Sequence, residues 1–480
     1  MCALGSQEID GNWFCQPVSG IQYSNVGSPG AYNRIVAMNT DGSCDSVPQS
    51  FSGPLSPLDE EVSFHVRGPV QINEFAVYVP APSNVNKRST SHGRVIHKHN
   101  HHHGNGGQAQ SHSHGPVHNE MKVRQEISAT IDGQVVSWGN NYFGPSSVLA
   151  DEGKQVMVTA TIDGQVVSWV NNWFGSTQAA TTVPTQAAPV APVGNPAPVV
   201  QTPSQSQPVQ APETSVAAPS ATTSSSTSFL AEPPSGPGYD ASVIFERAHY
   251  YNAASQIIDN VTFLGNYGGQ GSGVFDENFG ASLAYVNSAG TGGAASSQIL
   301  ANAVIPSDSE VILMRGDECI DDSCGYVRPG SVAYHGFDGA DKAFFIDFSM
   351  PTEGGTGFNA DMPAIWLLNS QIPHTVQYGP PECNCWTSGC GELDIVEALF
   401  DGATQLKSTL HTNTPAGDSD YIARPTTDSM KLAVIFSSST STINIQVLDS
   451  NTEFPATMSA DDLNNLCSAP SGVSHFHVAG

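Results

Sequence analysis

Apolar and polar positions alternate in short runs over much of this chain, and Gly, Pro, Asn and Ser punctuate the runs. Period-two patterning between turn residues predicts β-strands. Near the N-terminus the runs cover residues 61–66 and 75–79. From Tyr239 onward they follow closely, at 311–314, 343–348, 364–368, 393–399, 431–436 and 442–447. No helical pattern alternates with them. The expected class is therefore all-β, with one large jelly-roll β-sandwich over residues 239–480 and one short helix at 459–466. Residues 1–86 read as a small Gly-rich β domain of their own, stapled by at least one disulfide.

The stretch between these regions has a different character. Residues 87–120 form a polar linker that opens on Lys87-Arg88, either a dibasic processing site or two solvated charges. It continues through nine His between His92 and His118. That composition forms no core and gives at most weak Zn²⁺ or Cu²⁺ binding. Residues 121–176 hold a repeat: Ala129 to Trp138 recurs as Ala160 to Trp169. Each copy reads as strand, Asp-Gly turn, strand. Its rings (Trp138, Tyr142, Trp169 and Trp173) either stack on sugar or pack their own hairpins. Residues 177–238 are Pro, Ala, Thr, Ser, Gln and Val with almost no charge, a spacer extended by its prolines. On this division residues 239–480 carry any activity without the rest.

Composition narrows the partners. Sixteen Lys+Arg stand against 44 Asp+Glu in 480 residues, a formal net charge of -28. Nucleic acid needs a basic footprint, so it is excluded as a partner. No apolar run is long enough to span a membrane. The first residues have no apolar signal region and the last no apolar anchor tail, so the ends of a secreted form are expected to lie outside this sequence. Nine Cys fall in two groups. Six of them (Cys319, Cys324, Cys383, Cys385, Cys390 and Cys467) lie in the C-terminal region and allow three disulfides in any of fifteen connectivities. The other three, Cys2, Cys15 and Cys44, leave an odd one. A zinc site at Cys383, Cys385 and Cys390 with His374 lacks the usual paired spacing. Disulfides and the sequon Asn260-Val261-Thr262 point to secretion. Trp13 and Phe14 are candidates for stacking on sugar or for plain packing.

The candidate chemistry lies at Gly391-Glu392-Leu393-Asp394-Ile395-Val396-Glu397-Ala398-Leu399. On a strand, Glu392 and Asp394 share one face, and Leu393 and Ile395 take the other. A β-bulge at Ile395-Val396 would return Glu397 to the face of the other two acids. Three carboxylates in a row suit glycoside cleavage, which uses one as nucleophile and one as proton donor. Leu393, Val396 and Leu399 also fit a helical stripe, which would make the acids a solvated face.

The spacing Glu-x-Asp-x-x-Glu resembles the signature of glycoside hydrolase family 16, in its bulged β-1,3-glucanase form. Upstream, Pro363-Ala364-Ile365-Trp366 is similar to that family's Pro-Ala-x-Trp strand. Downstream, Thr409-Leu410-His411 is similar to its Thr-Leu-His strand. Over both ends, the chain resembles the fungal target-of-SBF cell-wall proteins. They pair a Gly-rich N-terminal domain with a family-16-like C-terminal domain of concanavalin-like fold. The resemblance implies a secreted cell-wall enzyme that cleaves β-1,3-glucan with retention and needs no cofactor. In it Glu392 is the nucleophile, Asp394 the assisting acid and Glu397 the general acid/base. Trp366, Trp386 and His411 are its candidate substrate-binding residues. Trp386 stands in an insertion, Cys383 to Cys390, that departs from the family pattern. A non-catalytic glucan-binding or structural wall protein, and a transglycosylase, remain as alternatives.

Overall fold

The structure is a computed structural model. It describes residues 3–9, 12–82, 126–131, 134–139, 157–162, 165–170, 238–413, 415–467 and 472–478. The polar linker, nearly all of the proline-rich spacer, and Tyr142 and Trp173 of the repeat lie outside the described residues. The repeat's backbone does form two antiparallel hairpins, with Ile131 opposite Gln134 and Ile162 opposite Gln165.

Two nine-stranded sheets carry the fold. In order across the first sheet lie Ile257–Asp259, Ile244–Asn252, Gln71–Pro80, Lys342–Ser349, Met430–Ser437, Thr442–Leu448, Gly20–Ser24 and Val473–His477. Thr457–Ser459 adds to the side of the second of these. The second sheet runs Gly293–Ala294, Ala284–Val286, Val261–Gly265, Glu310–Arg315, Val62–Arg67, Ala364–Asn369, Glu392–Glu397, Gln405–His411 and Pro415–Ala423. The pairings are antiparallel, apart from Val473–His477 beside Gly20–Ser24. Every expected strand is present, and the all-β expectation holds.

The core lies between the two sheets. Phe75, Phe344 and Val434 from the first face Phe64, Ile365, Leu393 and Leu410 from the second. Helix Ala460–Leu466 covers the outer side of the first sheet, where Tyr78, Phe345, Phe454 and Leu463 pack together. Its start is fixed by a capping box between Ser459 and Asp462, which satisfies backbone donors the first turn would leave open.

The expected separate domain at residues 1–86 is not what the strands build. Val62–Arg67 pairs with Glu310–Arg315 on one edge and Ala364–Asn369 on the other. Gln71–Pro80 lies between Ile244–Asn252 and Lys342–Ser349. The early strands alone would have bared both edges and one apolar face. Placed inside the sandwich, they bury Phe64, Val66, Phe75 and Val77 completely. The fully buried Lys342 fastens the junction, donating from Nζ to the carbonyls of Leu58, Glu60 and Phe337 at 3.0, 3.1 and 3.0 Å.

The cysteine pairing also differs from expectation. Cys319 bonds Cys324, Cys385 bonds Cys390, and Cys383 reaches back to Cys44. Cys467 is free, so only four of the C-terminal six pair among themselves. Cys44 sits at the tip of a hairpin, Gly30–Met38 with Cys44–Phe51. That hairpin packs Tyr32 and Phe51 against Trp366, Leu368 and Ile372 on the outer side of the second sheet. The bridge Cys44–Cys383 ties this cover to the segment just before Trp386.

Candidate active site

The carboxylates stand on Glu392–Glu397, the third strand from one edge of the second sheet. Trp366 pairs with Asp394 and Ile365 with Val396, so Ile395 is the extra residue and the register shifts there. The neighbouring strand records the same shift between Asp394 and Glu397. Leu393, Ile395 and Val396 all enter the core with no exposure. Glu392, Asp394 and Glu397 therefore share the opposite face. The strand begins immediately after Gly391, at φ +108°, where a Cβ would come within 3.0 Å of Leu58 and Pro57. Glycine is required at that left-handed position.

Each acid meets a different donor. Trp386 Nε1 donates to Glu392 Oε2 at 2.7 Å. His411 Nε2 lies 3.1 Å from Asp394 Oδ2. Arg67 Nη2 donates to Glu397 Oε1 at 3.2 Å. Glu392 and Asp394 retain only 9% and 8% exposure, too little for water to screen them from one another. Burial, then the Asp394 charge, raises the Glu392 carboxyl well above its ordinary value, while His411 and the Trp386 hydrogen bond pull it back. Burial pushes His411 down, but its hydrogen bond to Asp394 and the charges of Asp394, Glu392 and Glu397 prevail and lift it to about 9. His411 is thus a cation at neutral pH, and it donates to Asp394.

The insertion around Trp386 has a local logic. Asn384 accepts from the Trp386 backbone N–H at 3.0 Å and donates to the Val376 carbonyl at 2.8 Å. The turn Trp386–Ser388 then closes within the Cys385–Cys390 bridge, and the indole is held against Glu392. Trp366 shares the face of the acids but is buried. The His65 ring stacks on it at a centroid distance of 5.0 Å, and the Arg67 guanidinium lies 5.8 Å from its centroid. It forms the floor of the face and offers little surface to a ligand.

The sequence reading missed Arg67, His65, Glu310, Gln377 and Tyr378. His65 is fully buried and holds Glu310 Oε1 through Nδ1 at 2.7 Å; Gln377 Nε2 donates to the same oxygen at 2.9 Å. The Tyr378 hydroxyl donates to Glu310 Oε2 at 2.7 Å, and its ring lies 6.3 Å from that of Trp386. A signal was present: Ser63, His65 and Arg67 alternate with Val62, Phe64 and Val66, which marks a strand with one polar face. The cysteines weighed for zinc are engaged in disulfides. Cys319 and Cys324 cluster with His374, but they too are bonded to each other.

These features define an all-β sandwich with a partly buried row of three carboxylates on one outer face. Residues 244–466 match the family described as cell wall protein YJL171C/Tos1, C-terminal, and residues 19–80 match its N-terminal counterpart. The chain is 36% identical to a Schizosaccharomyces pombe protein over 96% of this chain and 93% of that one. It is 34% identical to a Candida albicans protein over 95% and 91%. A Saccharomyces cerevisiae protein is 35% identical over 94% and 90%. All three relatives bear the name probable circularly permuted 1,3-beta-glucanase, the latter two with the designation TOS1. The chain belongs to this YJL171C/Tos1 family of cell wall proteins. No solved structure matches it.

Proposed function

We propose that this protein is a secreted fungal cell-wall glycosidase that cleaves β-1,3-glucan with retention. The observation that carries the reading is the bulge at Ile395, which sets Glu392, Asp394 and Glu397 on one face with a separate donor for each. The relatives' names supply the substrate class, and the family-16-like spacing supplies the roles. The description "circularly permuted" fits a sandwich in which Gln71–Pro80 and Ile244–Asn252 are neighbours.

Glu392 attacks the anomeric carbon while Glu397 gives a proton to the departing oxygen, leaving a glycosyl-enzyme. Glu397 then takes a proton from water, the water attacks the same carbon, and Glu392 leaves. Two inversions give net retention. Asp394, hydrogen-bonded to the His411 cation, sits between the two and passes electrostatic information along the row. Glu392 must lose its proton before it can attack. Trp386 and His411 both stabilise the ionised form.

The test is incubation of the full chain with β-1,3-linked glucose oligosaccharides, with products followed by mass and the first-formed anomer by NMR. Shorter products of β configuration support the reading. Longer products would mean transfer to a sugar in place of water. Absence of turnover would leave a glucan-binding or structural wall protein.

Azide assigns the roles. Glu392→Gln should yield an α-glycosyl azide, because azide attacks the substrate directly. Glu397→Gln, given a substrate with a good leaving group, should yield the β-azide by opening the intermediate. Reversed anomers would exchange the two assignments.

A further inference from the structure

We propose that Phe14, Phe400 and Tyr421 form a sugar-stacking subsite on the Glu397 side of the carboxylate face, for the part of a β-1,3-glucan chain that departs or accepts. The inference rests on the glucanase reading above and gives that site one side of its substrate track.

The strand register places the patch. Glu397 lies opposite Lys407, and Lys407 opposite Tyr421, on three successive strands. Neighbouring strands are about 4.8 Å apart, so the Tyr421 backbone lies roughly 10 Å across the sheet from that of Glu397. Ile422 next to it is buried in the core, which turns Tyr421 toward the face that carries the acids. The Lys407 ammonium sits 4.8 Å from the Tyr421 ring centroid, fixing the ring from one side. Phe14 arrives from the N-terminal hairpin, and its centroid is 6.0 Å from those of both Phe400 and Tyr421. Phe400 follows the catalytic strand by three residues and is 50% exposed.

Three rings from distant parts of the chain therefore meet at the surface beside a row of carboxylates. If their only role were to pack the hairpin, burial would be the stable outcome, yet Phe400 leaves half of its surface in water. The hairpin also has other anchors: Val18 N–H donates to the Tyr421 carbonyl at 2.8 Å, and Ala3 N–H to Asp420 Oδ2 at 3.0 Å. Exposed aromatic faces suit the C–H faces of a neutral sugar, which need no charge complementarity. On the other side of the row, Trp386 and the half-exposed Tyr378 flank Glu392. The leaving oxygen is protonated by Glu397, so sugars beyond that oxygen lie toward Phe14, Phe400 and Tyr421. An acceptor sugar replacing water would occupy the same place.

The test uses the full chain carrying Glu392→Gln, which binds without turnover, and titrates it with a β-1,3-linked glucose hexasaccharide by calorimetry. Phe400→Ala in that background should weaken binding about five- to tenfold, the size of one lost aromatic contact. Ile320→Ala, at an exposed residue on another loop, should leave it unchanged. In the active chain, Phe400→Ala should raise KM for the hexasaccharide by a similar factor. If the hexasaccharide binds the parent and the Phe400→Ala chain equally, the subsite is refuted while the glucan reading stands. If the parent binds no hexasaccharide, both fall together.

Discussion

The two sheets have opposite outer faces. Under its helix the first is apolar outside as well as inside, with Tyr78, Phe345, Phe454 and Leu463 packed together. The second carries Glu310, His65, Arg67, Trp366, Glu392, Asp394, Glu397 and His411 on its outer face. A sheet covered on both sides gains stability from each. A sheet that buries ionisable groups on one side gains less, because every charge must find a donor or hold a proton. The difference separates the half of the molecule that supports from the half that is arranged to react, and the same sequence period produced both.

The most severe way to break this comparison is to remove the strands both sheets share. Residues 239–480 alone lack Gly20–Ser24, Val62–Arg67 and Gln71–Pro80, so neither sheet is whole. We expect no cooperative thermal transition from that fragment, and recovery of one when residues 1–82 are co-expressed with it; calorimetry checks both. Next is Glu392→Gln, which should abolish turnover without loss of stability. The sign follows from the raised carboxyl. The folded chain holds that proton to a higher pH than the unfolded chain, so stability is full below about pH 4.5 and declines as pH rises through the folded value. Replacing Glu392 removes that decline, and Tm near neutrality should hold or rise while activity vanishes.

On the apolar side, Phe345→Ala should do the reverse. Its ring packs on Tyr78 and Phe454 at 5.1 and 5.4 Å. Its loss should cost about 3–5 kcal/mol in denaturant unfolding, with kcat per folded molecule unchanged. The smallest effect sharpens the comparison within the reactive face. Trp386→Phe removes a hydrogen bond that lowers the Glu392 proton affinity. The acid limb of kcat/KM should move to higher pH by less than about one unit, readable in a pH–rate profile.

Much of this was legible along the chain. The row Glu392, Asp394, Glu397 needed only period two and one bulge, because a strand's faces are set by neighbours in sequence. The short helix expected at 459–466 is present at Ala460–Leu466. Arg67 and His65 were not legible as site residues. Their place beside Trp366 depends on the register of strands about 300 residues apart, and one sequence carries no record of that pairing. The boundary placed at 86 failed for a related reason. A long polar stretch looks the same whether it joins two domains or interrupts one, and only the unpaired edges of Val62–Arg67 and Gln71–Pro80 distinguish the cases. The link Cys44–Cys383 was equally hidden among the possible pairings.

The central position of Val62–Arg67 has a consequence during synthesis. Its first partner strand, Glu310–Arg315, follows by roughly 250 residues, about 12–50 s of ribosome time at ~5–20 residues per second. For that interval Phe64 and Val66 stand outside the exit tunnel with both edges of their strand open. An unpaired apolar strand is a template for other chains. The nascent protein therefore depends on whatever shields it until its second half is made, and productive yield should respond to chaperone supply and translation rate more than to the stability of the finished sandwich.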